Sequence, residues 1–464
     1  MKHSTLKLTS IALILVLLLV IVSLSSCANL GEMIGTYVYE QSTDSEPAVT
    51  EPSSDETTLP ASPDANVPTT DAPTTDAPST ESPTTQPNET GPINQTENNI
   101  TIVGGSDSVA YATAKGLRSA VSVYCTFSGS TGGFYPWGSS SEEYYTTGSG
   151  VLYWVDNNGS AFVVTNHHVV YDSESNTENR ISNDIVLFLY GMENEKYAIP
   201  ATYVGGSVNY DIAILRVEKN DVLKHAVEKG SAAAVSVGDS NALIPGMSTI
   251  AIGNPSSEGI SVTQGIVSVD SEYITMTAGD NSGEISVRVI RTDAPVNSGN
   301  SGGGLFDTSG ELIGIVNAKI ISQDVENIGY AIPSTLVRAV ADNIIDHCYQ
   351  KDCETVMRPL LGITVSTTAL STEYDPETGV LRCSEEIGVH DVTEGSLGAS
   401  ILQKDDVIKS ITVADKTVNI NRQHHLIDAM LDARVGDTVS MTILRGGSEM
   451  TVQTTITNDC FSAY

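Results

Sequence analysis

Residues 292–307 read TDAPVNSGNSGGGLFD, and this glycine-rich stretch decides how the chain is interpreted. A serine flanked by glycines permits a tight turn that lifts the hydroxyl and points neighbouring N–H groups inward. Such amides can stabilise the oxyanion of an acyl-transfer intermediate. Ser301 is followed by several glycines, whereas Ser298 is followed by only one. Ser301 is therefore the candidate nucleophile, and the backbone amides around it are candidates for the oxyanion hole.

Catalysis by a serine hydroxyl requires two further groups, because serine is a weak nucleophile without an imidazole base and an orienting carboxylate. Residues 163–172 read VVTNHHVVYD, which places His167 and His168 side by side. Successive side chains of an extended backbone point in opposite directions, so both cannot face one site. Asp211 opens the apolar run DIAILRV and is the candidate carboxylate. The residues alone leave open which histidine is the base.

These segments resemble the HtrA (Deg) family of chymotrypsin-fold serine proteases, over roughly residues 120–456. Six motifs follow one another in the order of that family: TNHHVV, DIAIL, AIGNP, VTQGIVS, TDAPVNSGNSGG and IGYAIPS. The resemblance implies that Ser301 is the nucleophile, that His168 is the general base and later the general acid, and that Asp211 fixes the imidazole tautomer. It also implies that the backbone amides of Gly299 and Ser301, with Asn300 between them, supply the oxyanion hole. It implies no metal, ATP or other cofactor. It also implies a homotrimer whose catalytic loops change arrangement when peptide binds.

Two positions of the catalytic segments vary in that family. His167 stands where relatives tolerate different residues, so we expect it to be a half-exposed neighbour of the site. Gly304 stands where the family more often has proline or alanine, and this change removes no reacting group.

The primary specificity pocket is placed by the same resemblance. It implies that Val296, Ala318 and Ile320 wall the pocket, and none of these is acidic. We therefore expect cleavage after small or medium aliphatic residues rather than after arginine or lysine. The alternative is that these three side chains are simply core residues.

The fold predicted for residues 105–350 is all-β. Short apolar or alternating runs are separated by glycine, asparagine and serine turns, as in AVSVYCTF, AFVVT, DIVLFLY and LIGIVNA. This spacing is typical of a β-sandwich or barrel, and the resemblance implies a chymotrypsin-like double β-barrel protease domain. Residues 333–348 have apolar positions at helical spacing after a proline, which predicts a helix that closes the domain.

Residues 355–460 are predicted to form a second, small domain of strands with one or two helices. This segment resembles the PDZ domain appended to HtrA proteases. A PDZ domain binds a C-terminal peptide as an added strand and captures its carboxylate with backbone amides. The sequence LLGITV at 360–365 places those amides near Leu361, Gly362 and Ile363, with apolar C-terminal peptides as expected ligands. The alternative is a PDZ-like spacer that only positions subunits.

The first 27 residues have the composition of an export signal. Two lysines precede the apolar run IALILVLLLVIV, which gives way to LSSC ending at Cys27. Small residues before a cysteine resemble a bacterial lipobox, which would make Cys27 the lipid-bearing first residue of a lipoprotein. An uncleaved membrane anchor is the alternative. Both interpretations place the protein outside the cytoplasm, attached to the cell membrane.

Residues 28–104 are predicted to be a disordered linker. Residues 28–99 contain thirteen acidic residues and no lysine or arginine, with a near-repeat TTDAP TTDAP STESP. Such a tract cannot bury enough apolar surface to offset the entropy of ordering. Residues 102–105 spell IVGG, the new N-terminus of activated trypsin-like zymogens. Thr101 precedes them where that cleavage normally requires a basic residue, so we do not expect zymogen activation.

Charge and cysteine content exclude other classes of protein. The formal net charge is −34, from 23 basic and 57 acidic residues, which argues against nucleic-acid binding. Five cysteines follow residue 27, and an odd number cannot all pair within one chain. Two pairings stay open: Cys348 with Cys353, and Cys383 with Cys460.

Taken together, these features predict a membrane-tethered serine endopeptidase that cleaves unfolded or misfolded proteins. Two alternatives remain. One is a regulatory protease that cuts a single membrane-protein substrate when its PDZ domain binds a signal peptide. The other is a non-cleaving chaperone or peptide-binding adaptor, against which the complete set of serine, histidine and aspartate argues.

Overall fold

The computed structural model describes residues 109–130, 141–318, 328–349 and 355–464. The predicted signal or anchor with Cys27, the linker at 28–104 and the IVGG motif lie outside these ranges, as do Ile320 and Cys353. In the ranges described, no helix combines the length and apolar character that a membrane span requires.

The first β-barrel follows helix α1 (Val109–Leu117) and contains six antiparallel strands. They are β1 (Ala120–Ser130), β2 (Ser141–Val155), β3 (Ala161–Thr165), β4 (Asp184–Leu189), β5 (Ile199–Ser207) and β6 (Ile212–Val217). The barrel closes in the order β1-β2-β3-β6-β5-β4. Two short helices lie on its loops: α2 (His167–Val170) after β3, and α3 (Asp221–Glu228) after β6. Valine, leucine and phenylalanine side chains from β1, β4 and β6 fill its centre, because these residues pack well on a pleated, buried surface.

The second β-barrel is also six-stranded. Its strands are β7 (Ser248–Gly253), β8 (Ser261–Thr277), β9 (Glu284–Thr292), β10 (Gly304–Phe306), β11 (Leu312–Val316) and β12 (Gly329–Pro333). The barrel closes in the order β10-β11-β12-β9-β8-β7. The helix expected at 333–348 is α4 (Ser334–Cys348). The prediction of a mainly β, double-barrel protease fold is confirmed.

The C-terminal part contains two antiparallel sheets and one helix. A two-stranded sheet pairs β13 (Met357–Pro359) with β20 (Phe461–Ala463). The larger sheet contains β14 (Ile363–Asp375), β15 (Val380–Val392), β16 (Val407–Val413), β17 (Lys416–Asn419), β18 (Thr438–Arg445) and β19 (Ser448–Thr455). Its order is β14-β15-β16-β18-β19, with β17 paired to β16, so β14 is an edge strand. Helix α5 (Gln423–Leu431) packs on this sheet and contributes to its apolar core.

Ion pairs around α4 and α5 connect the C-terminal part to the second barrel. Arg288 of β9 donates from Nη2 to Asp428 Oδ2 of α5 at 2.7 Å, and Thr335 Oγ1 of α4 donates to the same oxygen at 3.2 Å. The Arg288 side chain is 3 % exposed. Arg434 pairs with Asp346 at 2.8 Å on the more exposed side. A buried and hydrogen-bonded ion pair specifies this contact, because either charge left alone would be strongly destabilising.

Candidate active site

The segment after β3 directs the two adjacent histidines differently. Asn166 precedes the short helix α2, so the backbone at the pair is helical and not extended. Successive side chains then diverge by about 100° around the helix axis. His167 is 5 % exposed, and its ring lies 5.0 Å from that of Tyr171 between centroids. The expectation that His167 is half-exposed is therefore wrong, because the helical turn packs its ring against Tyr171 and Tyr203. His168 faces the other way, with a side chain 16 % exposed.

Asp211 lies beside His168 in a buried and tightly bonded position. His168 Nδ1 is 2.7 Å from Asp211 Oδ2, and the His168 amide donates to Oδ1 at 3.0 Å. Asn317 Nδ2 donates to Oδ2 at 2.8 Å. Asp211 has a φ of 51°, a strained value for a non-glycine residue that the surrounding bonds must hold. Burial raises the pKa of Asp211, but the charge and hydrogen bonds of His168 outweigh this and keep the pKa below its ordinary value.

Ser301 lies on the loop between β9 and β10, where the two barrels meet. Its carbonyl accepts a hydrogen bond from the Ser149 amide at 2.8 Å, and its hydroxyl oxygen accepts one from the Ala318 amide at 3.1 Å. Gly302 follows with a φ of 85°, and a Cβ there would overlap the Ser149 carbonyl and the Thr165 hydroxyl. Glycine is thus required directly after the serine, as the motif suggested.

The predicted oxyanion hole contains two amides with no protein acceptor. Within the described residues, the amides of Gly299 and Ser301 donate to no carbonyl or side chain, whereas the Asn300 amide donates to Asn297 at 3.0 Å. Gly299 has a φ of 96°, and a Cβ there would overlap the Asn254 carbonyl. The turn at 299–301 therefore leaves two N–H groups free for a ligand beside the Ser301 hydroxyl.

His168 and Ser301 line one open cavity of about 490 Å³, together with Ala318 and polar residues of two loops. Val296 does not line this cavity. It is 9 % exposed and packs in the apolar cluster of the second barrel, against which Ala318 also packs. Val296 is therefore a core residue and does not wall the pocket, as the alternative stated. Ala318 borders both the core and the cavity. Ile320 lies outside the described residues.

The proposed carboxylate loop of the C-terminal part lies between β13 and β14. Leu361 is buried, and Ile363 begins β14. Gly362 has a φ of 71°, and a Cβ there would overlap the Ser396 side chain. In the part of the chain that is described, the amides of Leu361 and Gly362 donate to no acceptor. The loop thus presents free amides at the start of an edge strand.

Two asparagines of the site were not predicted from the sequence. Asn166 Nδ2 donates to the Asp211 carbonyl at 2.8 Å, and Asn317 binds the Asp211 carboxylate. Both are fully buried. The sequence offered one weak signal, which is an asparagine directly after an apolar run. Asn166 follows β3 and Asn317 follows β11, and both strands are wholly buried. A buried amide at such a position requires hydrogen-bond partners.

The cysteines and possible metal ligands add no further chemistry to this site. Cys383 and Cys460 are not joined, so that suggested disulfide is wrong: Cys383 Sγ lies near Thr372 and Cys460 Sγ near Thr457. Cys348 with Cys353 stays a prediction. No group of three or more histidine, cysteine, aspartate or glutamate side chains in the described ranges is arranged to hold a metal ion.

Comparison with known proteins finds similarity to trypsin-like and HtrA serine proteases. The family model for a trypsin-like peptidase domain matches residues 148–315. The chain is 34% identical over 317 residues to "Serine protease Do-like HtrA" of Bacillus subtilis, covering 66% of this chain and 62% of that protein. It is 31% identical over 320 residues to the protein of the same name from Lactococcus lactis subsp. cremoris, covering 66% and 69%.

Two more distant similarities extend this comparison. "Periplasmic serine endoprotease DegP" of Escherichia coli is 30% identical over 323 residues, with 68% of this chain and 58% of that protein covered. The solved structure "HtrA-type protease AlgW with decapeptide" is 24% identical and covers 75% of this chain and 97% of that one, with a TM-score of 0.47. The chain spans less than two thirds of the length of the Bacillus subtilis relative.

Proposed function

The chain belongs to the HtrA family of trypsin-like serine proteases, and from this membership we propose that it is a serine endopeptidase acting on unfolded or misfolded proteins. The observation that carries the proposal is the 2.7 Å contact of His168 Nδ1 with the buried Asp211, while His168 and Ser301 line the same cavity. An imidazole held by a carboxylate is the base that a serine nucleophile requires.

The proposed reaction is acyl transfer through Ser301. The hydroxyl oxygen attacks the scissile carbonyl carbon while His168 Nε2 takes its proton, and the carbonyl oxygen becomes an oxyanion. The free amides of Gly299 and Ser301 donate to that oxyanion. His168 then gives the proton to the leaving amine, and the same base activates the water that hydrolyses the acyl-enzyme. The Ala318 amide, which donates to the Ser301 hydroxyl at rest, would yield this oxygen to His168 when a substrate is bound.

We further propose that residues 355–460 form a PDZ domain for apolar C-terminal peptides. Two features support this: no described residue accepts from the amides of Leu361 and Gly362, and no described strand pairs with the outer edge of β14 directly after them. A peptide added to that edge would satisfy the strand's open hydrogen-bonding groups while the loop holds its carboxylate. Attachment to the membrane through Cys27 and assembly as a homotrimer outside the cytoplasm belong to the same proposal.

The test is cleavage of denatured casein by the full-length protein in detergent. We expect Ser301→Ala to reduce cleavage to background, and Ser298→Ala, on the same loop, to retain most of it. A fluorophosphonate probe followed by mass spectrometry should label Ser301 alone. Equal residual cleavage by wild type and Ser301→Ala would refute the protease and favour a peptide-binding adaptor. An unmodified, uncleaved N-terminus would separately refute the lipoprotein.

A further inference from the structure

The active-site cavity has one acidic side that the catalytic mechanism does not use. Asp172 and Glu174 line it, on the segment that follows α2 and His168. Gly279 and Asn281, at the turn between β8 and β9, line the cavity together with them. A peptide whose scissile bond lies at Ser301 therefore occupies a cavity that these two carboxylates also line.

Hydrogen bonds orient the Asp172 carboxylate, and no cation among the described residues pairs with either Asp172 or Glu174. Tyr144 donates from its hydroxyl to Asp172 Oδ2 at 2.6 Å, and the Glu174 amide donates to Asp172 Oδ1 at 2.9 Å. Among the described residues, neither carboxylate lies within 4.0 Å of a basic nitrogen. Each Asp172 oxygen keeps a second lone pair. Glu174 is exposed, and its carboxylate accepts no hydrogen bond from the part of the chain that the structure describes. Burial, the bond to Asp172 and the charge of Glu174 together raise the pKa of Tyr144 to about 12.

The charges around this side do not cancel. Among the described residues, Arg180 is a nearby cation, and its Nη1 donates to the Tyr171 hydroxyl at 3.4 Å and to neither carboxylate. Asp280, between the two cavity residues of the β8–β9 turn, adds negative charge and acts electrostatically on Arg180. The side therefore presents a net negative field to anything bound at Ser301.

We propose that Asp172 and Glu174 select protein segments that carry a lysine or arginine beside the cleaved residue. This inference rests on the proposed function and concerns a position next to the cleaved residue, apart from the aliphatic preference predicted at the cleaved residue itself. A cation here makes charge-assisted hydrogen bonds, whereas an acidic residue meets like charge. The segment 28–99, with thirteen acidic residues and no lysine or arginine, is by the same rule a poor substrate for the enzyme's own site.

The test uses the full-length protein and matched fluorogenic peptides. Each set shares one aliphatic residue at the cleaved bond and carries lysine, glutamine or glutamate at a single neighbouring position, scanned on both sides. Rates are expressed per active site titrated with a fluorophosphonate. At one position we expect kcat/KM for lysine to exceed that for glutamine by about fivefold, the effect of a partly exposed charge pair.

The double variant D172N/E174Q should bring that lysine-to-glutamine ratio close to one. Both substitutions are isosteric, and the amide oxygen introduced at position 172 can still accept a hydrogen bond from Tyr144. The exposed Glu193, on the same barrel but away from the cavity, supplies the control Glu193→Gln, which should keep the wild-type ratio. Raising the salt concentration should shrink the ratio in wild type but not in the double variant.

The outcomes separate the two proposals. A wild-type ratio near one at every position, or an unchanged ratio in the double variant, overturns the acidic selection while leaving the protease intact. Cleavage of none of the peptides, together with no labelling of Ser301, refutes the protease itself. A ratio that falls equally in Glu193→Gln would assign the preference to the overall charge of −34 and not to this cavity.

Discussion

Replacing Asn317 with alanine removes one of the three hydrogen bonds that hold the carboxylate of Asp211. The Nδ2 donor lies 2.8 Å from Asp211 Oδ2, the oxygen that also meets His168 Nδ1, and Asn317 is fully buried. A hydrogen bond to a charged group contributes about 1.5–3 kcal/mol. If the whole contribution is needed to stabilise the imidazolium in the transition state, kcat falls by about 10- to 100-fold.

The expected signature is a loss in kcat with little change in KM, because Asn317 orients the catalytic groups without binding substrate. Hydrolysis of a neutral peptide by the full-length protein is measured per active site titrated with a fluorophosphonate. Asn343 provides a matched control, since it is an equally buried asparagine whose Nδ2 donates to the Met357 carbonyl at 2.8 Å, remote from the site. Asn343→Ala should lower stability but keep kcat.

Two results would refute this reasoning. One is a kcat for Asn317→Ala within about twofold of wild type, which is less than the weakest charged hydrogen bond would give. The other is an equal loss of kcat in Asn343→Ala, which would show that general loosening of the fold, and not the position of Asp211, controls the rate.

Three further predictions concern single side chains. His168→Ala should reduce kcat by about 10⁶-fold, whereas His167→Ala should lower the melting temperature through its lost packing and retain most of kcat; equal losses would contradict the assignment. Asp428→Ala leaves Arg288 buried without its partner and should destabilise the protein by about 3–5 kcal/mol in urea unfolding, and a change below about 1 kcal/mol would mean the pair is solvated. Burial raises the pKa of Cys125 to about 12, so its thiol should react with iodoacetamide at pH 8 only after denaturant is added; rapid labelling of the native protein would disprove this.

Much of the fold and the candidate triad was accessible from the sequence because the relevant signals are local. Short apolar runs between turn residues indicate strands, and the run of glycines beside a serine indicates a tight turn with little room for side chains. The glycine after Ser301 is an example, since its surroundings leave no room for a Cβ. Motif order then indicated His168 and Asp211, which the structure places 2.7 Å apart.

The sequence by itself thus determined the strand-rich architecture and the three residue types that acyl transfer requires. Tertiary structure alone decided the exposure of His167, the burial of Val296 in the core and the bond from Asn317 to Asp211. It also decided that Asp172 and Glu174 line the cavity of Ser301. The physical reason is that burial and hydrogen bonding depend on contacts between segments far apart in the chain: Asn317 and Asp211 are separated by 106 residues. The local pattern of apolar and polar residues does not reveal such contacts, because they form only when both barrels close.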